Sequence, residues 1–77
     1  MTIPVEKRVL EAGGDYRVIV RAAVADPDQI RLYRNRVRVL LTPVDGGYMA
    51  CIHAQPYDLL EASTADGTPC ALEVALP

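Results

Sequence analysis

Apolar and polar side chains alternate with a period of two along much of this chain, and the cleanest run spans residues 15–25. Tyr16, Val18, Val20, Ala22 and Val24 fall on one face there, with Arg17, Ile19, Arg21 and Ala23 on the other. That is the pattern of a strand with one buried side. A second alternating run covers residues 36–54 and is interrupted at Asp45-Gly46, with Gly47 behind. Asp-Gly between alternating runs predicts a hairpin of two strands, residues 36–44 and 47–54, closed by a type I′ turn with positive φ at both central residues. With Asp45-Gly46 as the loop, Val37, Val39 and Leu41 oppose Ala54, Ile52 and Ala50 on a core face. Arg38, Leu40 and Thr42 oppose His53, Cys51 and Met49 on the other.

The remaining segments are shorter. Asp26-Pro27-Asp28 reads as N-cap, first helical position and acidic first turn, which predicts a short helix through about Arg34 with Ile30 and Tyr33 as its core contacts. Asn35 tolerates a left-handed conformation and turns the chain into the hairpin. Near the amino terminus, Thr2 as N-cap and Pro4 in the first turn fit a helix over residues 4–12, whereas Arg8-Val9-Leu10 before Gly13-Gly14 fits a strand in a hairpin with the next one. Residues 57–63 read as one or two helical turns or as a short strand. A second Asp-Gly, Asp66-Gly67, leads into a closing strand in which Cys70, Leu72, Val74 and Leu76 alternate with Ala71, Glu73 and Ala75. The sum is a single domain over residues 1–77 of α+β class: a mainly antiparallel sheet of four to five strands with one or two short helices. The alternative is an all-β small sandwich or open barrel.

Seventy-seven residues without Phe or Trp form only a small aliphatic core, so self-association into a homodimer is a natural source of further stability. The amino terminus has no apolar signal segment and no apolar run approaches bilayer length, which predicts a cytoplasmic protein without a membrane partner. Charge is segregated. Residues 1–40 carry all eight basic side chains against five acids, a balance of +3, and residues 41–77 carry five acids and no base, a balance of −5.

Chemistry-bearing residues are sparse. His53 is the one histidine, and Cys51 lies two positions before it on the same strand face, roughly 7 Å away. A thiol or acid-base enzyme built on that pair lacks a third group and an oxyanion donor. Cys51, His53 and Cys70 fall short of the four ligands of structural zinc, so no metal or cofactor is implied, and both cysteines read as small buried apolar residues. Asp58 and Glu61 would share a face if their segment were helical. The glycine pairs lack the spacing of a phosphate-binding loop.

The arginines are the leading binding candidates. Arg36 and Arg38 share one strand face, Arg17 and Arg21 share another, and Arg31 and Arg34 flank Tyr33 between them. If the strands are neighbours, a guanidinium-rich surface results that suits carboxylates or phosphates. The expectation is a non-catalytic protein-interaction module, a subunit, adaptor or inhibitor of phage or mobile-element type, binding an acidic partner protein through Arg17, Arg21, Arg31, Tyr33, Arg34, Arg36 and Arg38. Nucleic acid bound on the Arg17/Arg21/Arg36/Arg38 face is the alternative, against which the pI near 5.1 weighs.

Overall fold

The alternating run before Asp26 forms a strand as its pattern requires, and the other runs follow it into an almost wholly β architecture. In the computed structural model, which describes residues 5–24 and 26–76, the strands are β1 (Val5–Leu10), β2 (Gly14–Ala22), β3 (Ile30–Arg34), β4 (Val37–Val39), β5 (Thr42–Val44), β6 (Gly47–Ala54), β7 (Asp58–Thr64) and β8 (Cys70–Ala75). They pair antiparallel in two four-stranded sheets, one ordered β1-β7-β3-β4 and the other β5-β6-β2-β8. The inner faces meet in one core. Leu10, Ile30, Leu32, Leu60 and Ala62 come from the first sheet and Val18, Val20, Tyr48, Ala50, Ile52, Ala54 and Leu72 from the second. Leu32 and Leu60 are wholly shielded from solvent, and each such side chain contributes roughly 1.5–3 kcal/mol relative to exposure.

The α+β expectation is therefore corrected to its all-β alternative. Asp26 does cap a turn, its Oδ1 accepting from Asp28 N at 3.0 Å, but that turn is a single 3-10 unit, Pro27–Gln29. The chain then extends into β3, where Ile30 and Leu32 are buried and Arg31 points outward. Burial at every second residue, instead of Ile30 with Tyr33 three apart, is what overturned the helix. The stretch predicted over residues 57–63 is a strand from Asp58 onward, after a turn that includes Tyr57, so Asp58 and Glu61 fall on opposite faces, with Asp58 buried inward. The amino-terminal segment is a strand, but it forms no hairpin with β2. It pairs instead with β7, Val9 opposite Leu59. The proposed cap and first turn at Thr2 and Pro4 lie outside the described residues.

The central hairpin is half as predicted. Val44 opposes Gly47 and Thr42 opposes Met49 around Asp45-Gly46. Asp45 is not left-handed, however; only Gly46 has positive φ, at 78°, so the turn is not type I′. Upstream the expected single strand is two, because the chain leaves one sheet at Leu40-Leu41 and enters the other. Val39 consequently opposes Leu32 and Val37 opposes Arg34, not Ile52 and Ala54. Ile52 is buried as expected, whereas Val37 is 68% exposed. The type I′ turn lies one hairpin earlier, at Asn35-Arg36, with φ of 49° and 69°.

Candidate functional site

The two sheets divide the arginines between them. Arg17 and Arg21 project from the outer face of β2. Arg17 stands opposite Cys51, and Arg21 is held by Glu73, Nε to Oε1 at 2.8 Å, with its Nη1 donating to Gly46 O at 3.2 Å. The hydrogen bond from Arg21 lowers the Glu73 carboxyl below its ordinary value. On the other sheet, Arg31 and Tyr33 project outward from β3 and Arg38 outward from β4, with Tyr33 directly opposite Arg38 and, on its other side, Glu61. Arg36 occupies the exposed tip of their hairpin. β2 and β3 follow one another in sequence but belong to different sheets, so the single guanidinium surface expected from adjacency is two surfaces on opposite sides.

Arg34 belongs to neither. Its side chain turns to the inner side, where Nε donates to Asp58 Oδ2 at 2.8 Å. Asp58 also accepts from Asn35 Nδ2 at 2.8 Å and from Gln55 N at 2.9 Å. Asn35 in turn accepts from Leu59 N at 2.9 Å. Three donors on one buried carboxylate favour its ionised form, and the hydrogen bond from Asn35 is the main cause of a pKa below the usual aspartate range. Arg34 is thus a structural tie that holds the Asn35-Arg36 turn against the start of β7. Asp58 was visible in the sequence only as a spaced carboxylate; its role depends on β3 and β7 being neighbours.

The outer surface of the β3–β4 hairpin is the site these residues build. Arg31, Arg36 and Arg38 are exposed and make no ion pair among the described residues. Tyr33 is half-buried between them. Tyr33, Arg36, Glu61 and Ser63 line a shallow depression of about 260 Å³, and Glu61 is drawn the other way by Lys7 at 3.9 Å. A planar ring beside exposed guanidinium groups offers apolar contact and charged donors together, the combination that contributes most at protein interfaces.

The opposite outer face carries the cysteine and histidine. Cys51 and His53 both point outward from β6, and Cys51 is exposed, not buried as expected. The third group absent from the sequence reading is present, since His53 Nδ1 lies 2.7 Å from Asp15 Oδ1. Both side chains are more than 70% exposed, so their mutual attraction is weakened by solvent. Cys70 faces inward from β8, where burial pushes its thiol up and Sγ reaches Ala62 O at 3.5 Å. Cys51, His53 and Cys70 therefore lie on two sides of one sheet. Among the described residues no group of three His, Cys, Asp or Glu side chains converges on a metal position, and no helix is long and apolar enough to cross a membrane.

The chain matches no protein-family model, no curated protein and no solved structure.

Proposed function

We propose that this chain is a non-catalytic protein-interaction module that docks an acidic partner surface on the outer side of the β3–β4 hairpin. The observation that carries this reading is the group of three exposed guanidinium side chains, Arg31, Arg36 and Arg38, without ion pairs among the described residues and arranged about Tyr33. Arg21 is already neutralised by Glu73, so the β2 face is the weaker candidate. Nucleic acid is the second reading, favoured by the direct pairing of Tyr33 with Arg38, a ring for stacking beside a phosphate-binding group. The acidic pI weighs against it.

The readings separate with the chain immobilised and three forms compared: the natural sequence, an Arg17→Glu variant and an Arg31→Glu/Arg38→Glu double variant. The expected result is capture of discrete proteins by the first two and about tenfold less by the third, as for loss of two interface anchors. Equal capture by both variants rejects the site. Salt-sensitive retention of a single-stranded oligonucleotide in place of protein, lost in the double variant, transfers the same surface to nucleic acid.

A further inference from the structure

The hairpin that carries these arginines ends its sheet. Among the described residues β4 pairs with β3 and with no other strand, and in an antiparallel ladder the main-chain groups of successive residues point alternately toward and away from the partner. Arg34 opposite Val37 closes the two-residue turn, so Val37 and Val39 direct their N–H and C=O groups at β3. Arg38 directs both of its own outward. It therefore presents a free donor and acceptor, and a guanidinium, at a single position of the edge.

The side chains around it alternate as well. Arg38 lies on the outer face. Val37 and Val39 turn to the opposite side, where with Arg34 and Asn35 they line a depression of about 340 Å³. Val37 is 68% exposed, so this depression is uncovered. An incoming strand would place one residue beside Arg38 and its two neighbours over the depression.

We propose that the β4 edge takes up an extended segment of a partner protein as an added antiparallel strand, with an acidic residue opposite Arg38 flanked by apolar residues opposite Val37 and Val39. This rests on the interaction-module reading and specifies how the partner is held: main-chain bonds supply attachment, and the apolar-acidic-apolar alternation supplies selectivity. Charge complementarity chooses the occupant. A second copy of this chain pairing β4 with β4 about a two-fold axis sets Arg38 opposite its own counterpart, and like charges directly opposed in a ladder repel. A carboxylate in that place is attracted instead and forms charge-assisted hydrogen bonds.

The probe is an acetylated, amidated peptide of sequence Thr-Val-Glu-Val-Thr, compared with the same peptide N-methylated at Glu, which removes the donor facing Arg38 C=O. Binding is followed by amide resonances and hydrogen exchange in the natural chain and in Arg38→Ala and Arg38→Pro variants. Proline at this position deletes an outward N–H and leaves the β3 ladder intact. The expected result is slowing of Arg38 amide exchange by about tenfold on binding, the value for ~90% occupancy. N-methylation should weaken binding by about tenfold, and Arg38→Pro should weaken it more than Arg38→Ala does. Should the proline variant fail to fold, the N-methylated peptide carries the comparison alone. Equal binding of both peptides with no slowing at Arg38 overturns strand addition and leaves the Arg/Tyr face standing. Absence of binding by either peptide also overturns it, and partner capture then decides the broader reading independently. A dimer of the chain alone that Arg38→Ala dissolves, seen by light scattering, overturns it in favour of a second copy.

Discussion

The two tight hairpins of this protein reverse direction in the same number of residues and are held by different means. At Asn35-Arg36 both turn residues are left-handed although neither is glycine, and the conformation is maintained from outside by Asp58 and by the Leu59 N–H. At Asp45-Gly46 a glycine supplies the positive φ at no steric cost, and among the described residues the turn backbone receives one side-chain hydrogen bond, from Arg21 to Gly46 O. The dipeptide with the strongest hairpin chemistry thus makes the less demanding turn. The one with weaker chemistry makes the type I′ turn because the neighbouring strand enforces it. Turn position follows local residue preference here, while turn type follows tertiary hydrogen bonding.

Removing the enforcement should produce the largest effect. Asn35→Ala deletes the donor to Asp58 Oδ1 and the acceptor for Leu59 N, and it leaves a residue less tolerant of positive φ. The expected loss is about 2–3 kcal/mol of stability from one part-buried and one exposed hydrogen bond and backbone strain, read as a fall of the thermal midpoint by circular dichroism. Asn35→Gly should recover only the conformational part. A loss no greater than for a surface substitution would show that the turn is held by its own residues.

Reciprocal exchange at the glycine-tolerant positions should give smaller changes of opposite sign. Arg36→Gly relieves a left-handed non-glycine residue and is expected to stabilise by about 0.5–1 kcal/mol. Gly46→Ala is expected to destabilise by about 1–2 kcal/mol, because φ is positive and the added Cβ would lie 2.6 Å from Arg21 Nη1. Urea midpoints of the two variants test this directly. Shifts of equal sign would erase the distinction between the turns.

The smallest effect is in the pH dependence. The Asp58 carboxyl is held below its ordinary range in the folded chain, mainly by the Asn35 hydrogen bond. Its stabilising contribution is therefore present above the unfolded-state pKa and is lost as the pH falls through the folded value. Asp66 and Glu73, also lowered, act in the same direction. In acid titrations followed by urea midpoint, Asn35→Ala should flatten the decline relative to the natural chain. An unchanged profile would assign the acid sensitivity to Asp66 and Glu73 instead.

Faces were more legible in the sequence than partners. Alternation placed Val18, Val20, Ala50, Ile52, Ala54 and Leu72 in the core because each sheet buries one side only, and burial at every second position is a local property. Pairing is not local. The run from Val37 to Val44 looked continuous because the sheet change at Leu40-Leu41 leaves only the short apolar run Val39-Leu40-Leu41 as its mark. The helix at 27–34 failed because Asp26-Pro27 starts a 3-10 turn as readily as an α-helix, and the buried Ile30 and Leu32 set a period of two. The arginines were recognisable by type, and Arg31, Tyr33, Arg36 and Arg38 do share the β3–β4 hairpin. Their separation from Arg17 and Arg21, and the engagement of Arg34 with Asp58, depended on strand order that no short spacing encodes.

That strand order has a consequence for biogenesis. β1 needs β7, and β2 needs β6 and β8, so during synthesis the first two ribbons emerge with no neighbour yet made. The β3–β4 hairpin, joined across two residues, is the earliest paired unit. Closure of distant loops costs entropy before contacts offset it, which slows assembly and prolongs exposure of unpaired edges. The nascent chain must keep β1 and β2 from sticking to other molecules until β6, β7 and β8 emerge.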